Sequence, residues 1–259
     1  MKVVLLAGGF GTRISEESQN KPKPMIEIGG MPILWHIMKQ YSNYGYNDFI
    51  ICCGYKSYVI KEYFANYFLH HSDVTFDFSS GKNEVSIHNS ATEAWKVTLV
   101  DTGLNTMTGG RVRRIKEYLN NETFMLTYGD GVSDVNIAEL VKCHRTSGKL
   151  ATITAYQPNN RFGVLDIDAS NSIRDFREKT KADGDWINAG FMVVEPALID
   201  FIDGDDTVFE RYPLEHTAQI GQLNAYKHYG FWQCMDTLRD KQLLEKLWAE
   251  GTAPWKVWK

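Results

Sequence analysis

Leu6-Ala7-Gly8-Gly9-Phe10-Gly11-Thr12-Arg13 closes an apolar run that begins at Val3, and eight residues further on the chain reads Lys21-Pro22-Lys23-Pro24-Met25. A continuous, β-branched-rich run ended by glycine reads as a buried strand, here over Lys2 to Ala7. Open α/β sheets bind ligands at the carboxyl ends of their parallel strands. Glycines at that position let the backbone take positive φ and come close to a ligand. Exposed N–H groups there can cradle a phosphate, and Arg13 adds a forked, permanently charged partner.

The spacing removes two familiar phosphate loops. A dinucleotide fingerprint needs G-x-G-x-x-G opening a helix, but Gly9-Phe10-Gly11 is followed by Thr12, Arg13 and Ile14, and Pro22 and Pro24 interrupt the segment where the helix should run. A P-loop needs G-K-[ST], which is absent. A plain glycine turn remains open. Lys23 lies between two prolines, each with a fixed φ, and Pro24 pushes it toward extended geometry, so its ammonium loses little entropy on being positioned. Alone, Lys-Pro-Lys-Pro would read as a surface linker. Beside a phosphate loop it reads as a charge that stabilises phosphoryl or nucleotidyl transfer.

Outward from this loop the chain reads βαβα. Pro32 to Tyr44 has helical periodicity and ends at Gly45, Asn47 to Cys53 reads as a second strand, and Lys56 to Leu69 as a second amphipathic helix. Such alternation implies parallel strands covered by helices. Short alternating segments follow around Val74–Phe78, Glu84–His88 and Lys96–Val100. Then come a helix near Gly110 to Leu119, an apolar strand Thr123 to Tyr128 ending in Gly-Asp-Gly, a helix Asn136 to Ser147 and a strand Leu150 to Tyr156. In the second half, FGVLDID, SIRDFREK and WINAGFMVVEP read as hairpin strands. Helices near Ala197 to Ile202 and Pro213 to Ile220, a strand Leu223 to His228 and a helix Thr237 to Glu250 complete the pattern.

The chain has 259 residues and no internal repeat, which suits one α/β domain. A net charge of −4 argues against a nucleic-acid partner. The basic run Arg111 to Arg114 reads as one helix turn facing solvent or phosphate. Four cysteines show no zinc spacing and read as reduced thiols, with Cys52 and Cys53 on opposite faces of a strand. Only five apolar residues, Val3 to Ala7, precede the glycines, short of the roughly seven to fifteen of a secretory signal, and no run approaches the ~20 residues of a membrane span. The expectation is a cytoplasmic protein.

Taken together, LAGGFGTR and KPKP resemble the signature of the sugar-1-phosphate nucleotidylyltransferases, L-A-G-G-x-G-[TS]-R followed by K-P-[KM]-[PA]. The resemblance runs along nearly the whole chain, and it implies that 1–135 are mainly nucleotide-binding, 136–236 mainly sugar-phosphate-binding and 237–259 a C-terminal helix and tail. It implies a Rossmann-like, mostly parallel mixed sheet flanked by helices, of nucleotide-diphospho-sugar transferase type, with a small antiparallel substrate-side subdomain. It implies that Leu6, Ala7, Gly8, Gly9, Phe10, Gly11, Thr12 and Arg13 hold a nucleoside triphosphate together with Lys23 and Gly129, and that Lys23 and Arg13 are catalytic. The aspartate after the apolar strand, Asp130, and Asp236 in GFWQCMDT would hold Mg²⁺, a hard cation that takes one or two carboxylates plus substrate phosphates. Asp130 alone would read as a turn residue, and capping of the last helix alone would explain Asp236.

Glu178 and Lys179 match the family's E-K-P, with Thr180 in place of the proline, and would hold the sugar and its phosphate. Asn188 would bond sugar hydroxyls, and Gly190 would let the ring approach. Without the resemblance, Glu178 and Lys179 are an exposed charged pair. DTGLNTMTGGRVRR, Asp101 to Arg114, replaces the glycine-alanine-rich stretch of thymidylyl and uridylyl enzymes. With KPKPMIEIGGMPILWHIM and FIICCGYKSYVIKEYFANYF it resembles the branch that transfers a cytidylyl group to glucose 1-phosphate. There Thr106 or Arg111 would pair with the acceptor atoms of cytosine. The implied substrates are CTP and α-D-glucose 1-phosphate. The implied products are CDP-glucose, for CDP-deoxysugar and O-antigen lipopolysaccharide synthesis, and pyrophosphate. A homo-oligomer, of hexameric type, is also implied. A thymidylyl- or uridylyltransferase on the same sugar phosphate is the alternative. The aromatic helix SYVIKEYFANYF and the tail LWAEGTAPWKVWK would pack in the core or at a subunit interface.

Overall fold

In a computed structural model, which describes residues 1–158, 163–167, 173–178 and 186–258, the N-terminal run forms strand β1 (Val3–Leu6) at the middle of a seven-stranded sheet. In chain order the other elements are α1 (Ser15–Ser18), β2 (Glu27–Ile28), β3 (Met31–Pro32), α2 (Ile33–Asn43), β4 (Asp48–Cys53), α3 (Ser57–Ala65) and α4 (Tyr67–His70). Next come β5 (Asp73–Asp77), β6 (Glu84–His88), β7 (Lys96–Asp101), α5 (Thr108–Arg114), β8 (Phe124–Tyr128), β9 (Gly131–Ser133), α6 (Ile137–Ser147) and β10 (Ala151–Tyr156). The remainder is β11 (Gly163–Ile167), β12 (Ile173–Glu178), β13 (Ile187–Val194), α7 (Tyr212–Gln219), β14 (Leu223–His228), β15 (Trp232–Cys234) and α8 (Leu238–Ala249).

The central sheet runs β14-β10-β13-β8-β1-β4-β7. Neighbours pair in parallel except β13, which is antiparallel to both β8 and β10. The mostly parallel mixed sheet is the expected one, but WINAGFMVVEP is not a hairpin strand. β13 is inserted into the sheet, and its AGFMVV run is buried on both faces, which is what a central position requires. Its pairing with β10 is irregular between Ile153 and Ala155, where Gly190 adopts φ +87. Small antiparallel pairs, β5–β6, β11–β12, β2–β3 and β9–β15, surround the sheet.

Period-two alternation assigns the strand residues to two cores. Val3, Leu5, Phe49, Ile51 and Cys53 face one layer; Val4, Ile50 and Cys52 face the other. All four cysteines are free, and the adjacent pair does straddle the sheet. α2 covers the first layer with Ile33, Ile37 and Tyr41, one turn apart, and Gly45 at φ +83 ends its turn. The segment expected as one helix over Lys56 to Leu69 breaks at Asn66. There the Asn66 side chain donates to the Glu62 carbonyl at 3.0 Å, competing with the helical ladder. The stretch around Gly110 to Leu119 is likewise α5 followed by a 3-10 turn, Lys116–Leu119, and that near Ala197 is a 3-10 helix, Pro196–Phe201.

The tryptophan-rich tail packs inward. Trp255 is fully buried, and its indole N–H donates to His36 Nδ1 at 3.3 Å. His36 Nε2 in turn donates to the Ile28 carbonyl at 2.8 Å, which fixes the neutral ring. Burial pulls the His36 pKa down to about 4. Between about pH 6.5 and 4 the unfolded chain therefore takes up a proton that the folded chain refuses. The stabilisation is complete above that window and is lost as pH falls through it, by about 3 kcal/mol at most. Urea midpoints at pH 7 and pH 4.5 should fall more steeply in the wild type than in His36→Gln, and equal falls would remove His36 from the acid response.

Candidate active site

The glycine loop leaves β1 into a cleft of about 500 Å³ lined by Leu6 through Ile14, Lys23, Thr106, Arg111, Gly129, Asp130 and Asp236. The nucleotide and metal candidates of the sequence thus converge on one cleft. A second lobe of about 400 Å³ shares Arg13, Tyr128, Asp130 and Asp236 with it and adds Asn188, Glu210, Trp232 and Cys234.

Lys23 is the pivot. It opens a 3-10 turn, Lys23–Met25, rather than the extended geometry expected before a proline. Two backbone bonds, Met25 N–H to the Pro22 carbonyl at 2.8 Å and Ile26 N–H to the Lys23 carbonyl at 3.1 Å, close the turn and outweigh the steric bias of Pro24. Pro24 rests on Gly129, where a Cβ would lie 3.0 Å from the proline ring and 3.1 Å from the Leu6 carbonyl oxygen. That contact brings the turn to the end of β8. The buried Lys23 ammonium then donates to Asp130 at 2.6 Å and to Asp236 at 2.5 Å.

Asp130 and Asp236 are far apart in sequence and meet through the β9–β15 ribbon. Gly131 pairs with Cys234, and just beyond that pair Met235 N–H donates to the Asp130 carbonyl at 2.9 Å, which brings the next residue, Asp236, alongside Asp130. α8 is capped by Thr237, whose hydroxyl accepts from Asp240 N–H in a capping box. Asp236 is therefore not the cap, and its carboxylate also accepts from Arg13 at 2.7 Å. Burial works against ionisation of Asp236, but Lys23 and Arg13 outweigh it and hold its carboxyl below the usual range. Burial likewise opposes the Lys23 ammonium, and the charge of Asp130 with hydrogen bonds to both aspartates raises its pKa above the ordinary lysine value.

The glycines of the loop do three different things. Gly11 sits at φ +65 and turns the chain. Gly9 has open space where a Cβ would stand, on the cleft side. Gly8 makes room for Arg111, because a Cβ there would lie 2.0 Å from the guanidinium. Arg111 is buried, and its Nη1 and Nη2 donate to Cys53 O, Thr102 Oγ1, Gly103 O, Gly8 O and Leu104 O at 2.7–3.3 Å. The two Nη atoms of a side chain expected to read a base thus tie the glycine loop to residues 102–104.

On the other lobe, Asn188 accepts from Gly190 N–H at 2.9 Å. Gly190 also accommodates Tyr128, whose ring would lie 2.4 Å from a Cβ there. The Tyr128 hydroxyl donates to Glu210, whose other oxygen accepts from Thr108 at 2.6 Å. Glu210, Trp232 and Cys234 were not legible as site residues, since only the fold brings them to the aspartates. Glu178 ends β12, and Lys179 and Thr180 lie outside the described residues.

Asp130, Asp236 and Cys234 offer ligand atoms within 4.8 Å of one another. Two carboxylate oxygens already neutralised by an ammonium suit a hard divalent cation. A family model described as nucleotidyl transferase matches residues 2–229. The chain belongs to the nucleotidyl transferase family. This nucleotidyl transferase is 59% identical to the glucose-1-phosphate cytidylyltransferase of Salmonella typhi and 44% identical to the probable glucose-1-phosphate cytidylyltransferase of Bacillus subtilis, each over 100% of both chains. It shares its fold with HddC from Yersinia pseudotuberculosis (TM-score 0.67, 21% identity, 95% of this chain and 99% of that one). It also shares it with a UDP-glucose pyrophosphorylase solved with UDP-glucose (TM-score 0.69, 13% identity, 96% and 98%).

The two glycines give opposite expectations. Gly8→Ala pushes the buried Arg111 guanidinium off its carbonyl partners and should destabilise the nucleotidyl transferase by about 1–3 kcal/mol. Gly9→Ala should leave thermal stability within about 0.5–1 kcal/mol while raising KM for the nucleotide. Melting curves and steady-state kinetics check both, and equal stability of the two variants would break the assignment of Gly8 to Arg111.

Proposed function

We propose that the chain joins CTP and α-D-glucose 1-phosphate to give CDP-glucose and pyrophosphate. The observation that carries the choice of base and sugar is the 59% identity, over full length, to a glucose-1-phosphate cytidylyltransferase; it favours CTP over a thymidylyl or uridylyl donor. The geometry supports the transfer itself. A phosphate oxygen of the sugar phosphate attacks the α-phosphorus of CTP as the bond to the β-phosphate oxygen breaks, and pyrophosphate leaves in line. The nucleophile is already anionic, so the chain needs position and neutralising charge rather than a base.

The backbone from Leu6 to Gly11, with Thr12 and Arg13, holds the triphosphate, and Gly129 flanks it. Lys23 turns from Asp130 and Asp236 to the phosphate charge that grows in the transition state. Thr106 lines the same cleft and is the side chain left to read the base, Arg111 being engaged below the loop. Asn188 serves the sugar, with Glu178 and Lys179 as further candidates by resemblance, and Glu210 and Trp232 complete that lobe. Asp130 and Asp236 would hold Mg²⁺, which when bound supplies Lewis-acid polarisation of the phosphates.

Among the described residues no helix is long and apolar enough to cross a membrane. A cytoplasmic setting, serving CDP-deoxysugar and O-antigen synthesis, accords with the reduced thiols and the proposed substrates. A homo-oligomer is supported by the β5–β6 hairpin, which exposes Phe76, Phe78, Val85 and Ile87. Analytical ultracentrifugation should show a species larger than the monomer, and a monomer at micromolar concentration would exclude this.

Pyrophosphate release with glucose 1-phosphate and each of CTP, UTP, ATP, GTP and dTTP should be clearly highest with CTP. In the same assay Lys23→Ala should lose about 10²–10³-fold in turnover with the fold intact. Asp130→Asn combined with Asp236→Asn should lose the activity that depends on a divalent cation. A nucleotide preference other than CTP would overturn the base assignment, and near-normal turnover of Lys23→Ala would remove it from the mechanism.

A further inference from the structure

Cys234 stands beside the two aspartates on the same ribbon. It ends β15 two residues before Asp236, and it pairs in register with Gly131, the neighbour of Asp130. Its thiol is free and half-buried. Its sulfur and the two carboxylate oxygens all lie within 4.8 Å of one another. A tetrahedral ion with zinc-like bond lengths holds a sulfur and an oxygen ~3.6 Å apart, so small side-chain rotations close the set. The position already compensates positive charge, since Lys23 donates to both carboxylates and Arg13 to one.

We propose that Cys234 is a third protein ligand at the cation position, so that the site binds thiophilic divalent cations (Zn²⁺, Co²⁺, Cd²⁺) through Asp130, Asp236 and Cys234. This rests on the reading of Asp130 and Asp236 as cation ligands. Hard Mg²⁺ takes oxygen donors and leaves the sulfur aside, whereas softer ions gain a ligand from it. As the metal–sulfur bond forms, the thiol proton leaves to solvent. Lys23 and Arg13 must release the carboxylates at the same time, and the phosphates of CTP give them new partners. Cys234 thereby sets which cation the site prefers without being required for the Mg²⁺ form.

The test is a Co²⁺ titration of the full chain in the presence of CTP and without glucose 1-phosphate, read by near-ultraviolet absorption. The wild type should develop a thiolate-to-cobalt charge-transfer band that is absent in Cys234→Ser. By calorimetry Cys234→Ser should bind Cd²⁺ at least tenfold more weakly and Mg²⁺ with unchanged affinity. Should Cys234→Ser fail to fold, Cd²⁺ must instead shield Cys234 of the wild type from iodoacetamide in peptide mapping. Co²⁺ binding that is lost in Asp130→Asn but shows no thiolate band in the wild type would overturn the role of Cys234 and leave the carboxylate reading standing. Absence of any Co²⁺ binding would overturn both.

Discussion

One ammonium between two carboxylates organises the cleft. Asp130 and Asp236 carry ligand oxygens within 4.8 Å, a separation at which like charges repel by roughly 3 kcal/mol at an effective dielectric near 20. Lys23 reverses the sign of that interaction by bonding both. Each partner reaches the meeting point by a different device. A 3-10 turn seated on Gly129 delivers Lys23, the end of β8 delivers Asp130, and the β9–β15 ribbon delivers Asp236. If any one of the three is displaced, the other two are left with unbalanced, partly buried charge, which is expensive.

A second cation works beneath the loop by the opposite principle. Arg111 is buried without a carboxylate partner among the described residues, and carbonyl oxygens and one hydroxyl accept from its guanidinium. Burial lowers its pKa, yet an arginine stays charged in proteins, so the positive charge remains below the loop. There it orients the carbonyls of Gly8, Cys53 and Gly103 inward. Gly8 and Gly54 pack against each other and against this side chain: a Cβ on Gly54 would lie 2.6 Å from both Nη1 and the Gly8 carbonyl oxygen. The loop is thus fixed from below by Arg111 and faces the cleft at Gly9.

What could be read from the sequence followed from local rules. β1 and β8 show as continuous apolar runs, α2 shows its helical period, and Gly45 ends α2. The loop and Lys23 could be paired because they are close in sequence and because the combination resembles a family signature. Long-range register could not be read. Nothing in INAGFMVV says that β13 runs antiparallel inside a parallel sheet, and nothing local says that Gly131 will pair with Cys234. For the same reason the contacts of Arg111 with Gly8 and of Gly190 with Tyr128 could not be read, because each pair joins distant parts of the chain.

The charges of the cleft constrain how it can fill. Lys23 and Arg13 oppose Asp130 and Asp236, so the cluster is neutral as it stands. A polyphosphate that binds Lys23 and Arg13 takes them from the aspartates and leaves two adjacent carboxylates uncovered. A divalent cation alone would have to displace both side chains and leave them without partners. Either ligand entering singly exposes charge of one sign in a partly buried site, whereas entering together they exchange partners and keep the cluster balanced. The arrangement therefore favours binding of the nucleotide as its complex with a divalent cation, a preference built into Lys23 and Arg13 as much as into the aspartates.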